Sequence, residues 1–374
     1  MKFLDDKMKK MLIFLAVLIL LVIVFAFVIF LTGDKTLSYS QIENKMLEAS
    51  RQYFLNNKGA LPSYENGSME VSADLLAEEG YMKAISKYQE NSSVACSGKV
   101  TVIKNGEYYY YSPYLNCGDK YTTTYLDEKL LDSLVTDKDG LYAMNQIFEG
   151  KSQKMYVYRG EFPNNYVLID GTLWRIVKIN PDRTIMIIQA KVDDDTFEEG
   201  SWDDRYNLDD ESNSGINVFS DSRIKRRLDI YYSSDNYFSS KLKEKLVPKK
   251  VCIGARNIEQ SKNDGSIECS KKSEEEQYFS LLPMYDFLNA SLDSYCKLPE
   301  DRNCSNYNYL NKFGDKWWLL TVNSKATYRG FMVSSSIYRS DLSANAHARL
   351  VAYLNSNVTY AGGSGTYRDP YLVR

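Results

Sequence analysis

Histidine is almost missing from this chain: His347 is the only one in 374 residues. A Ser-His or Cys-His hydrolase would have to be built around it. Yet it stands in Ser343-Ala344-Asn345-Ala346-His347-Ala348-Arg349, ahead of an apolar stretch, and no Gly-x-Ser-x-Gly elbow occurs elsewhere to supply a nucleophile. His347 therefore reads as structural. Positive charge is not in surplus either. With 46 Lys and Arg against 49 Asp and Glu the formal net charge is −3, which leaves no electrostatic footprint for a polyanion and excludes nucleic acid as a partner. The cysteines never take the paired C-x-x-C spacing of a zinc site. Proline is scarce, 8 residues, while tyrosine is abundant, 31 against 15 phenylalanines, a balance that favours β-rich structure with half-exposed rings.

What the chain does have is one long apolar run, Met11 to Leu31, free of charge and of proline. As a helix it would be about 30 Å long, the thickness of a hydrocarbon core. A secretory signal has a shorter apolar centre, about 7 to 15 residues, ending at small residues. This run ends Phe30-Leu31-Thr32-Gly33-Asp34. The expectation is an uncleaved single-pass transmembrane helix over 11–32 that holds the protein in the lipid bilayer of the cell membrane. Lys2, Lys7, Lys9 and Lys10 precede the run and only Lys35 follows closely, so 1–10 is expected as a short cytoplasmic tail and the bulk of the chain as extracellular. No cysteine directly after the run offers a lipid site, and Tyr371-Leu372-Val373-Arg374 is neither a sorting signal nor an apolar tail.

All six cysteines lie in the part expected outside: Cys96, Cys117, Cys252, Cys269, Cys296 and Cys304. An even count in an oxidising compartment points to disulfides. Six cysteines allow 15 pairings, but the three short intervals favour neighbours: Cys96 with Cys117, Cys252 with Cys269, Cys296 with Cys304. Each would staple a local loop for about 2 to 4 kcal/mol.

Beyond the apolar run, Ser40-Gln41-Ile42-Glu43 reads as a capping box, and Ile42, Met46, Ala49, Tyr53 and Phe54 recur at helical spacing up to Asn56-Asn57-Lys58-Gly59. A second short helix opens at Ser72 and closes on Gly80. Lys99 to Ile103 and Tyr108 to Tyr111 form a strand pair turned at Asn105-Gly106, bracketed by the first cysteine pair. With the helix ending Glu79-Gly80-Tyr81 and the strings Cys96-Ser97-Gly98 and Leu115-Asn116-Cys117-Gly118-Asp119, this part resembles the pilin-like exported proteins of Gram-positive bacteria. The resemblance implies a small pilin-like α+β module over 33–125. The apolar run lacks the Gly-Phe-type processing site and the nearby glutamate of type IV prepilins, so the shared feature is the exported fold.

Residues 126–155 read as a polar connector containing a short helix. From 156 to 374 strands return. Tyr166 to Ile169, Leu173 to Ile179 and Thr184 to Ile188 are separated by the turn signals Asp170-Gly171 and Asn180-Pro181-Asp182-Arg183, an antiparallel meander. Helices are expected around 222–232 and 282–292, then strands at Trp317 to Thr321 and Arg349 to Leu354. Trp174-Arg175-Ile176-Val177, Leu281 to Ser291, Trp317-Trp318-Leu319-Leu320-Thr321 and the closing Gly363-Ser364-Gly365-Thr366 with Asp369-Pro370-Tyr371 resemble an uncharacterised exported domain of Gram-positive bacteria. Strand order and tryptophan placement are distantly similar to the formylglycine-generating-enzyme and C-type-lectin-like fold. The expected class is thus α+β: one N-terminal transmembrane helix, the small module, and a larger disulfide-stapled α+β module with an antiparallel sheet.

Candidate site residues come from the acidic stretch Asp193 to Glu211. Trp202, flanked by carboxylates, is the tryptophan expected to face outward, and Trp202, Asp203 and Tyr206 are the expected ligand-binding face. Trp174, Trp317 and Trp318 sit in apolar strands and read as core. Carboxylate density at Asp203, Asp204, Asp209 and Asp210 suits Ca²⁺, making weak calcium binding the one cofactor expectation. Asp286 and Glu274 to Glu276 are the carboxylates from which a glycosidase pair would be drawn, and nothing singles them out. The functional expectation is a membrane-anchored cell-surface protein with a non-catalytic binding or structural role, touching cell-wall or host glycan or a surface protein. The alternatives are an exported enzyme of formylglycine-generating or wall-hydrolase type, and a pilus-system component.

Overall fold

The computed structural model describes residues 36–374 apart from 65–66, 91–92, 106, 192–197, 212 and 314. The tail expected at 1–10, the span expected at 11–32 and Asp193 to Asp195 lie outside the described residues. Among the described residues no helix is long and apolar enough to cross a membrane. The expected fold class, which opened on a transmembrane helix, is corrected accordingly: the described fold is α+β with antiparallel sheets and three disulfides.

The chain starts with α1 (Tyr39–Asn56), whose capping box is Ser38 with Gln41, two residues earlier than expected. Ser40 and Glu43 are otherwise engaged. The Glu43 carboxylate is fully buried and accepts hydrogen bonds from Tyr121, Thr123 and Arg374, while the Ser40 hydroxyl accepts from Arg374. The inward stripe Ile42, Met46, Ala49 and Phe54 lies on a three-stranded antiparallel sheet, β1 (Ser68–Ser72), β2 (Ser97–Asn105) and β3 (Tyr108–Asn116). Between β1 and β2, α2 (Ala73–Glu78) is capped by the Ser72 hydroxyl and ends at Gly80, whose φ of +80° closes the helix at little steric cost.

Strand alternation in the β2/β3 hairpin decides how this small unit meets the rest. Val102 pairs with Tyr111 and both face α1. The next pair, Ile103 with Tyr110, points the other way and joins the core of the large unit. Tyr110 and Ser112 donate to the carbonyl of Asn357 at 2.7 and 2.6 Å. Arg51 on α1 forms an ion pair with Glu244 at 2.7 Å. The seam is therefore apolar at its centre and ionic at its rim.

Residues 126–155 are not a connector. They form α3 (Leu126–Leu131) and most of the hairpin β4 (Gly140–Phe148) and β5 (Lys151–Arg159), turned at Glu149 and Gly150, both at positive φ. Leu126, Leu130, Leu141 and Met155 are buried. The hairpin attaches to β7 (Thr172–Ile179) of an eight-stranded sheet. That sheet also holds β6 (Tyr166–Ile169), β8 (Ile185–Gln189), β12 (Val351–Leu354), β13 (Tyr360–Gly362) and β14 (Tyr371–Val373), with β6 and β14 parallel and the rest antiparallel. A second three-stranded sheet, β9 (Trp317–Val322), β10 (Arg329–Val333) and β11 (Ile337–Asp341), stands beyond it. The helices of this unit are α4 (Arg223–Ser233), the single turn α5 (Ser240–Lys243) and α6 (Met284–Asn289). Trp174, Trp317 and Trp318 are wholly buried in the shared core, as their apolar strands require.

The cysteines pair in sequence order, Cys96–Cys117, Cys252–Cys269 and Cys296–Cys304, and none is free.

Candidate functional site

The acidic stretch places its side chains differently from the expectation. Trp202 is not outward: it is 1% exposed and its ring lies 6.4 Å from that of Phe219. The physical reason is that residues 200–203 are laid against distant chain, with Asp203 N–H donating to Leu342 and the Trp202 carbonyl accepting from Ile224 at the start of α4. Burying the indole takes its large apolar area out of water. Asp203 is buried too. Its carboxylate accepts from Arg205 Nε at 2.9 Å, from the Ile216 N–H at 2.8 Å and from the Arg223 N–H at 3.1 Å, so it locks the loop onto the first turn of α4. Asp204 is exposed and ion-paired with Arg223 at 2.9 Å. Asp209 takes part in an Asx turn at Asn207, and the Asp210 carbonyl accepts from Asn213. Of the three residues expected to bind ligand, only Tyr206, 61% exposed, faces water. Of the four aspartates expected as calcium ligands, Asp203 and Asp204 thus have their carboxylates on separate partners, and among the described residues no group of three or more His, Cys, Asp or Glu converges on a metal position.

Beside this loop, α4 builds a cleft that the sequence reading missed. Ser222 caps the helix, and Ile224, Leu228 and Tyr231 turn inward. That leaves Arg223, Arg226, Arg227 and Ile230 in one outward stripe, at the three- and four-residue steps of a helix face. With Glu198, Glu199, Asp204, Ser201, Tyr231 and Tyr237 they line a hollow of about 610 Å³, in which Asp204 pairs with Arg223 and Glu199 with Lys316. The two tyrosine rings meet edge to face, 4.9 Å between centroids. Arg227 donates to the Ser201 carbonyl at 2.7 Å, and burial draws its guanidinium below the usual arginine range. Arg226 is exposed and makes no ion pair among the described residues. Ile230, 47% exposed, adds an apolar wall. Planar cations beside aromatic faces suit a ligand that carries an anionic group on a flat, partly apolar body.

A second cleft, about 250 Å³, opens where β7, β4 and α6 meet the loop 249–272. Its floor is Lys178, 2% exposed in its side chain. The ammonium donates to both oxygens of Asp286, at 2.7 and 2.9 Å, to the Tyr285 hydroxyl at 2.9 Å and to Gln146 Oε1 at 3.4 Å. Burial pulls the Lys178 amine below its ordinary value and pushes the Asp286 carboxyl above its own, each resisted by the partner's charge. Burial also raises the Tyr285 phenol well above its usual range. The walls carry Lys249, Lys250 and Lys272 and the Cys252–Cys269 disulfide. Lys272 is matched by Glu149 at 2.7 Å. Asp286, one of the carboxylates considered for glycosidase work, is committed to Lys178, and Glu274 to Glu276 are exposed.

A larger hollow, about 750 Å³, lies by Arg302 and Tyr307, but its Lys312 and Glu161 neutralise each other at 2.6 Å. His347 is buried, 3.9 Å from Glu199, beside Trp317 in a short bridge of strand pairing. The signals that could have found the two smaller clefts were in the sequence: an Arg-x-x-Arg-Arg-x-x-Ile stripe on a helix, and two charges set in apolar runs, Lys178 and Asp286. No protein-family profile, curated protein or solved structure matches this chain.

Proposed function

We propose that the protein works outside the reducing cytoplasm, at the cell surface, as a non-catalytic binding module that holds acidic carbohydrate in the arginine–tyrosine cleft. The observation that carries this reading is Arg226, an exposed guanidinium without an ion-pair partner among the described residues, which lines a hollow large enough for a sugar unit together with Arg223, Arg227 and Tyr237, the Tyr237 ring packing edge to face on the buried Tyr231. Guanidinium forks take carboxylates and phosphates with two parallel hydrogen bonds, and aromatic faces take sugar rings. The three disulfides support an oxidising compartment.

The test is binding of the purified protein to three polymers: a uronic-acid polysaccharide, a phosphodiester-linked wall polymer and a neutral glucan. Retention on the acidic polymers that weakens with salt is expected, together with loss of that retention in Arg226→Ala at a stability unchanged within about 0.5 kcal/mol. Equal retention on the neutral glucan, or full retention by the variant, refutes the site. Steady release of product from any of the polymers refutes the non-catalytic role.

A further inference from the structure

The three disulfides are not equivalent. Cys117 and Cys304 are buried, so two of the bonds have one sulfur-bearing residue shut away, whereas Cys252 and Cys269 are both partly open to solvent and both line the lysine cleft. The bond in the cleft also has a proton donor that is tied to a charged pair, whereas the donor at Cys96 Sγ is the neutral amide of Gln89, at 2.7 Å. The Tyr285 hydroxyl accepts from the Lys178 ammonium at 2.9 Å and lies 3.9 Å from Cys269 Sγ, within the range of an O–H···S hydrogen bond. A line of polar contacts thus runs from Asp286 through Lys178 and Tyr285 to one specific sulfur.

The loop that this bond closes is also held without it. Arg256 is fully buried and donates to Glu268 at 2.9 Å, to the carbonyls of Gln260 and Lys262 at 2.8 Å and to Asn263 at 2.7 Å. All four partners lie between the two cysteines in sequence. Opening the bond would leave that centre in place.

We propose that Cys252–Cys269 is an exchangeable disulfide that accepts electrons from low-molecular-weight thiols entering the cleft, with Cys269 as the leaving sulfur. A thiolate attacks Cys252 Sγ. A new S–S bond forms there, the Cys252–Cys269 bond breaks, and its electron pair passes to Cys269 Sγ, which the Tyr285 hydroxyl, held in place by Lys178, stabilises. The proton lost by the attacking thiol balances the one the Cys269 thiolate takes up. A second thiol then displaces Cys252, so that two thiols become one disulfide and the protein's disulfide becomes two thiols. Of the wall lysines, Lys249 is paired with Asp182 and Lys272 with Glu149, and Lys250, which makes no ion pair among the described residues, favours the anionic form of the incoming thiol. Leaving-group stabilisation sets the rate of such exchange.

The experiment uses the whole folded protein with reduced glutathione as the thiol, alkylation of released thiols at timed intervals, and peptide mass spectrometry. Cys252 and Cys269 should open first, while thermal unfolding stays cooperative. The glutathione adduct should sit on Cys252 and the alkyl group on Cys269. Tyr285→Phe keeps the ring and removes the hydroxyl, and should slow this opening about tenfold while leaving the other two bonds at their wild-type rates. Opening of all three bonds together, only as the protein unfolds, overturns the proposal. So does a Tyr285→Phe protein that opens at the wild-type rate, and an adduct found on Cys269 overturns the assignment of the leaving sulfur independently of any variant.

Discussion

The small unit at the N-terminal side and the large unit treat charge in opposite ways. In the small unit Glu43 is the acidic side chain that is fully buried among the described residues, and the large unit supplies its partner, Arg374. The large unit buries Lys178, Arg175, Arg256, Arg349 and Lys243 within itself. Each is answered locally: Lys178 by Asp286, Arg256 by Glu268, Arg175 by Asn165 Oδ1 at 2.9 and 2.7 Å, Arg349 by the carbonyls of Gln189 and Leu310 at 2.9 Å, and Lys243 by Asp235 at 2.6 Å. Dehydrating a cation costs several kcal/mol, and the cost is recovered only by close, well-aimed acceptors. A unit that does this repeatedly is one in which polar geometry is tightly specified, and both clefts lie there. The small unit is an apolar collar, tied in at its rim.

The contrast is broken most severely by leaving one of the buried cations unanswered. Asp286→Asn keeps the shape and removes the charge opposite Lys178, and is expected to cost about 3 to 5 kcal/mol in urea unfolding. A loss below about 1 kcal/mol would show that the pair is not an ion pair in the folded protein. The equivalent change in the small unit, Glu43→Gln, should cost about 2 kcal/mol, because Tyr121 and Thr123 keep an acceptor and Arg374 at the rim can reach water. A larger loss than that of Asp286→Asn would reverse the comparison.

The last effect lies at the seam and depends on pH. Lys245 follows α5, with its ammonium 5.7 Å from the centre of the Tyr110 ring. Burial lowers its pKa from 10.5 to about 8, Arg51 and Lys241 adding to the shift and Glu244 and Asp170 opposing it. Between pH 8 and 10.5 the unfolded chain therefore holds the proton that the folded protein has released, and raising the pH through that window favours folding. Lys245→Met removes this dependence. The variant should be the more stable of the two at pH 7, and its lead should shrink as the pH rises to 10.5. A lead that stays constant with pH would mean that Lys245 is solvated.

Local pattern carried much of the fold. The meander β6 to β8 lies where alternation and the Asp170-Gly171 turn put it, Ser222 caps α4, and the three short cysteine intervals are the three disulfides. The pattern failed at the β4/β5 hairpin, because a hairpin wetted on one face shows an apolar residue only at every other position, and one of its inward positions is Gln146. Trp202 failed for another reason. Its neighbours in sequence are acidic, but its neighbours in space are Phe219 and the chain around Leu342 and Ile224, and only the folded chain brings these together. Lys178 and Asp286 look like two separate exceptions along the chain, and meet only when α6 is laid across β7.

The parallel pairing of β6 with β14 has a consequence in time. Val167 hydrogen-bonds alongside Tyr371 in the middle of the large sheet, so residues 166–169 must wait, unpaired on one edge, until residues 371–373 have been made. Non-local pairing of this kind slows folding and leaves an exposed strand edge meanwhile. The chain is thus one whose central sheet is completed last, from the far end of the described sequence, and whose assembly is sensitive to whatever covers that open edge while the intervening residues are still arriving.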